Sequence, residues 1–143
     1  MALSLLVGAL ITNVILKNWV CRPRPYTAIP ELHALVTAQD WSFPSGHSTS
    51  SIAAATAMYF RTPRTMGIPA LALAAIICLS RLYVGVHYPT DVLFGVLAGL
   101  FSAWCALQIT GSIGKKIIHI DLIEKRKNHA TRKPKARRNL PAF

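Results

Sequence analysis

The chain has 143 residues, of which 52% are apolar and only 15% charged, with a formal net charge of +11 and a positive mean hydropathy of +0.39. That length leaves room for one domain at most, and a soluble domain of this size would normally carry more charge. The apolar residues are clustered in long runs, which excludes an ordinary soluble globule and points to a multi-span membrane protein.

Residues 1–16 are apolar except for Ser4, Thr12 and Asn13. A signal peptide would need a charged n-region and a small-residue cleavage site, and neither is present. As a helix, this run reaches only about 24 Å of a hydrocarbon core about 30 Å thick. The chain is therefore expected to start partway along a membrane helix, with Lys17 to Val20 extending it or residues missing upstream. The segment from Cys21 to Pro44 contains Pro23, Pro25 and Pro30 with Glu31, His33 and Asp40, and is expected to be a loop. Trp19, Tyr26 and Trp41 suit a membrane interface.

A second apolar run follows Pro44-Ser45-Gly46-His47 and continues to about residue 60. Ser45 is the expected N-cap. Its serines, threonines and alanines mark a helix built for close packing. A third run covers roughly 67–82, and a fourth runs from Asp91 to about Thr110, with Gly95 and Gly99 in a weak G-x-x-x-G packing pattern. The expected fold is an all-α bundle of membrane-spanning helices over residues 1–114, followed by a basic tail over 115–143. Within the tail, 115–127 could form an interfacial helix and 128–143 are expected to be disordered.

Charge sets the expected topology. From Lys115 onward ten Lys/Arg face two acids, a net of +8, against six Lys/Arg and three acids, a net of +3, in the preceding 114 residues. Four spans would put the N-terminus, the link carrying Arg61 and Arg64, and the tail on one side, expected to be cytoplasmic. The 17–44 and 81–90 segments then share the outer face. The tail's cations would touch anionic headgroups. No nucleic-acid partner is expected, since no aromatic residues interleave with those cations. Cys78 and Cys105 read as packing residues and Cys21 as a free thiol, with no disulfide framework.

Three polar segments thus gather at one membrane face: Lys17-x6-Arg24-Pro25, Pro44-Ser45-Gly46-His47 and Ser80-Arg81-x5-His87-x3-Asp91. In this order and spacing they resemble the three signature motifs of the type 2 phosphatidic acid phosphatase superfamily, which includes lipid phosphate phosphatases, isoprenoid diphosphate phosphatases and vanadium haloperoxidases. Integral-membrane members usually have six helices, and this sequence looks like the last four. The resemblance implies a lipid phosphatase in which His87 is the nucleophile, forming a phosphohistidine.

Physical chemistry supports each assignment. Phosphoryl transfer needs positioning and charge neutralisation. Lys17, Arg24 and Arg81 supply three cations, and each arginine can hold phosphate oxygens bidentately. Ser45 and Gly46 open a helix whose free amides favour an anion, and Gly46 permits close backbone approach. Charge compensated this way requires no metal or other cofactor. Asp91, four residues after His87, would fix the imidazole tautomer. His47 is the expected general acid for the leaving oxygen and later the base for water. Arg22 matches no motif position and reads as a loop or headgroup charge. His33, His119 and His129 read as solvated.

Competing readings are a zinc site of His47, His87 and Asp91, a serine hydrolase of Ser45, His87 and Asp91, and a membrane protein that binds lipid phosphate without turnover. The first two leave the three cations unexplained. Undecaprenyl diphosphate, phosphatidic acid, phosphatidylglycerophosphate and lipid A phosphates all fit the expected substrate class, and a bacterial inner membrane the expected location.

Overall fold

The computed structural model describes residues 1–29 and 31–131, and every regular element among them is helical. α1 (Ala2–Ala9) runs into a π-helical segment, Leu10–Leu16, and then α2 (Lys17–Val20). The first apolar run is thus extended by Lys17–Val20. It stops where Cys21 turns left-handed at φ 48° and Pro23 and Pro25 deny the backbone further amide donors. Pro25 instead starts the one-turn α3 (Pro25–Ala28), at a helix start where its missing N–H costs nothing.

The segment from 31 to 45 has no helix or strand but is tied down at several points. The Tyr26 hydroxyl donates to the Ala38 carbonyl (2.8 Å) and accepts from its amide (2.9 Å), and the Ser42 amide donates to the Arg22 carbonyl at 2.9 Å. Ser45 then caps α4 (Gly46–Arg61) by accepting from the Ser48 amide at 3.4 Å. α5 (Arg64–Tyr83) and α6 (Pro89–Thr131) complete the described chain. Gly85, at φ 77°, makes the turn between them, a conformation side chains disfavour.

Three helical stretches are long and apolar enough to cross a membrane: Ala2–Ala28, Arg64–Tyr83 and Pro89–Lys125. The multi-span helical bundle is therefore present, and the second apolar run forms α4, shorter than the stretches named above. At 16 residues it reaches about 24 Å, and its place is inside the bundle. Ser48, Thr49, Ile52, Ala53, Ala55, Thr56 and Ala57 are all buried. Its small residues let glycines of its neighbours come to backbone contact. A Cβ on Gly95 would lie 2.7 Å from the Ser45 carbonyl oxygen, and one on Gly99 2.7 Å from that of Thr49. The G-x-x-x-G pair thus packs within the chain. On the other side, Ile52 and Ala55 meet Ala74 and Cys78 of α5 and Val92 of α6. Leu73, Ile76, Leu79, Leu97 and Leu100 stay exposed, as suits helices solvated by lipid.

The chain divides into two compact units, residues 1–109 and 110–143. In the second, α6 continues without a break through the stretch expected to form a separate interfacial helix. Glycines at 111 and 114 weaken a helix by only about 1 kcal/mol each, and no proline intervenes before Pro134. Of the stretch expected to be disordered, 128–131 are helical, and 132–143 lie outside the described residues.

Candidate active site

Six of the eight residues assigned from sequence line one cavity of about 430 Å³: Lys17, Arg24, Gly46, His47, Arg81 and His87. Ser45 and Asp91 lie behind its wall, both at 0% exposure. α2 brings Lys17, the start of α3 brings Arg24, the first turn of α4 brings Gly46 and His47, the last turn of α5 brings Arg81, and the α5–α6 connection brings His87.

Asp91 occupies the first turn of α6. Its Oδ2 accepts from the Tyr88 amide at 2.9 Å and from the Ser42 hydroxyl at 2.5 Å. The first contact is the acidic half of a capping box, so the carboxylate stabilises the helix start. The same Oδ2 lies 3.6 Å from His87 Nδ1, which leaves Nε2 as the ring nitrogen nearer the cations. Nε2 is 3.4 Å from Arg24 Nη1, and Nη1 also donates to the Val86 carbonyl at 3.0 Å.

Three residues outside the sequence assignment complete the site. Arg22, read from sequence as a loop or headgroup charge, donates to Asp91 Oδ1 at 2.8 Å. Its guanidinium also stacks 3.8 Å over the Tyr88 ring. Ser42 holds the other carboxylate oxygen. Asp40 forms ion pairs with Lys17 Nζ and with Arg24 Nη2, the latter at 2.5 Å. Their side chains are 69, 49 and 16–23 residues from their partners, separations that no motif spacing encodes.

Electrostatics follow from this crowding of cations. Burial alone would raise the Asp40 carboxyl, but the hydrogen bonds and charges of Lys17 and Arg24 outweigh it and bring the pKa down to about 2. His47, in the first turn of α4, is pushed below its ordinary value by partial burial, then by the positive charges of Arg81 and Lys17. A phosphate dianion arriving among those cations would offset this push and favour the protonated imidazole that an acid role needs.

Ser45 takes the N-cap position expected from the sequence. Its hydroxyl is engaged with the Ser48 amide and hydroxyl, the latter at 3.0 Å, so its contribution to an anion site comes through the helix start it caps. That engagement also removes it as the serine nucleophile of a hydrolase. The zinc reading meets a similar obstacle. Asp91 has both oxygens committed to Arg22, Ser42 and Tyr88, and no three His, Cys, Asp or Glu side chains gather as a metal site among the described residues.

Residues 1–114 match the family model of the PAP2 superfamily. The chain is 32% identical over 112 residues to an undecaprenyl-diphosphatase of Sulfolobus acidocaldarius, across 76% of this chain and 54% of that protein. Among solved structures, it is similar to the transmembrane PAP2 type phosphatidylglycerolphosphate phosphatase of Bacillus subtilis (29% identity, TM-score 0.66, 78% of this chain and 58% of the other). It is also similar to LpxE of Aquifex aeolicus (27% identity, TM-score 0.68, 75% and 64%). The chain spans about half the length of the curated relative described above, 54%.

Proposed function

The chain belongs to the PAP2 superfamily, and from that premise we propose that it is a phosphatase acting on the phosphomonoester or diphosphate head group of a membrane lipid. The observation that carries this reading is His87, whose ring sits in the cavity wall with Asp91 at Nδ1 and Arg24 beside Nε2. Undecaprenyl diphosphate is the first substrate to test, with phosphatidic acid and phosphatidylglycerophosphate next, because two of the similar proteins are named for such substrates.

The proposed reaction needs no group beyond the chain and water. His87 Nε2 attacks phosphorus, forming a P–N bond as the bond to the leaving oxygen breaks, and His47 gives that oxygen a proton. Water then attacks the phosphohistidine, its proton passing to His47. The P–N bond breaks, and inorganic phosphate leaves with His87 and His47 restored. Arg24, Arg81, Lys17 and the start of α4 neutralise the equatorial oxygens throughout. Asp91 balances the positive charge on His87 while the P–N bond exists. The site would face the extracytoplasmic side, with the basic tail at anionic cytoplasmic headgroups.

The test is phosphate release by the purified chain from a panel of these lipids, with and without orthovanadate. Turnover inhibited by orthovanadate and abolished in a folded His87→Ala variant is expected. Wild-type rates in His87→Ala would sink the nucleophile assignment. Release from none of the lipids would favour a binding protein without turnover.

A further inference from the structure

Asp40 takes no part in the chemistry above, yet its carboxylate sits on the cations assigned to phosphate. It pairs with Lys17 Nζ and Arg24 Nη2, and its own carbonyl accepts from Arg24 Nε at 2.8 Å. Asp40 therefore holds the Nε–Nη2 edge of the guanidinium, while Nη1 is spent on Val86 and faces His87. The edge that a phosphate would grip bidentately is already gripped by an anion of the protein itself.

The occupant is also placed to leave. The Asp40 side chain is 54% exposed, whereas those of Lys17 and Arg24 are 8% and 6% exposed, so a solvent-accessible acid covers two buried cations. Its backbone lies in the segment without regular structure, tied at Ala38 and Ser42 on either side. Rotation of the side chain frees Lys17 Nζ and Arg24 Nη2 without moving those anchors, while the Asp40 carbonyl stays on Nε, so the incoming phosphate meets Arg24 through Nη2. Because the carboxyl ionises well below neutrality, the pairing persists across the working pH range and is no pH switch.

We propose that Asp40 is an internal competitor for the phosphate cradle: its carboxylate occupies Lys17 and Arg24 between turnovers, yields to the incoming phosphate, and returns as inorganic phosphate departs. The inference rests on the phosphatase reading of the same site. An empty cradle with three cations would hold its anionic product tightly, and anionic lipid head groups around it would compete for the same place. A tethered carboxylate weakens every anion by the same factor. Both the substrate and the product then exchange faster, and the buried cations are never left unpaired.

A purely structural Asp40, one that stays in place and orders Lys17 and Arg24, makes the opposite prediction, so the sign decides. The full chain in lipid nanodiscs would be titrated with sodium orthovanadate by calorimetry, and inhibition by inorganic phosphate measured in the turnover assay. Asp40→Asn keeps the shape and removes the charge, and Asp40→Ser guards against one variant failing to fold. The expected result is orthovanadate and phosphate binding tightened about three- to tenfold in either variant, with KM lowered in the same sense. Unchanged or weaker anion binding in a folded variant overturns the proposal. If the wild-type chain turns over substrate while the variants show no tightening, only the role of Asp40 falls. If the wild type neither binds orthovanadate nor releases phosphate, the phosphatase reading falls, and the role of Asp40 with it.

Discussion

Arg22 donates through Nη1 to both the Thr90 hydroxyl (2.7 Å) and Asp91 Oδ1 (2.8 Å), and so reaches the least exposed carboxylate of the site. A fully buried carboxylate is stable only when charge and hydrogen bonds compensate it. Arg22, Ser42 and the Tyr88 amide supply that compensation and hold Oδ2 toward His87. Arg22 does not line the cavity, so it acts through Asp91 as a positioning residue. Arg22→Gln is expected to lower kcat about a hundredfold through loss of alignment, with KM little changed, and Arg22→Lys to recover part of the rate. Steady-state kinetics on the two variants check this; a loss confined to KM would place Arg22 among substrate contacts instead. Arg22 escaped the sequence reading because its partners are 68 and 69 residues away. The only local hint was a second arginine beside the motif's own.

At the scale of elements, α4 holds the site together because it is thin. Ser45, Thr49 and Ala53 bring its backbone within contact of Gly95 and Gly99 on α6, and that contact seats the His47 turn beside His87. A side chain at Gly99 would meet the Thr49 carbonyl oxygen at 2.7 Å and Ile52 Cβ at 2.9 Å, and backbone cannot yield as a flexible side chain can. Gly99→Val should therefore destabilise the fold by about 1–3 kcal/mol. Gly111→Ala, with nothing within 4 Å of the added carbon, should not, and should stabilise α6 slightly. Thermal unfolding in detergent measures both, and equal effects would contradict the packing described. The small residues and the G-x-x-x-G pattern were legible as packing signals, but their partners were not, since the spacing of glycines along one helix does not say which backbone they meet.

For the whole molecule, three helices able to cross a membrane meet at an end where Arg22, Arg24 and Ser42 contact the α5–α6 connection and the start of α6. The proposed orientation, with this end outward, rests on the basic residues after Lys115. Cys21 is exposed beside Lys17 and offers a direct probe. With Cys78 and Cys105 replaced by alanine, a membrane-impermeant maleimide should label Cys21 in intact cells. Labelling that appears only after permeabilisation would reverse the orientation.

Sequence alone determined the helical membrane architecture and the family to which the motifs belong, because hydropathy and motif spacing are local properties of a chain. Lys17, Arg24, Gly46, His47, Arg81 and His87 could each be picked out that way, and they line one cavity. The tertiary structure decided how those residues are held: Asp91 between Arg22 and Ser42, Ser45 as a cap, and Asp40 across Lys17 and Arg24. These contacts join side chains from different helices and from a segment without regular structure. A hydrogen bond or ion pair there depends on positions a few ångströms apart in space, which no periodicity along the chain records.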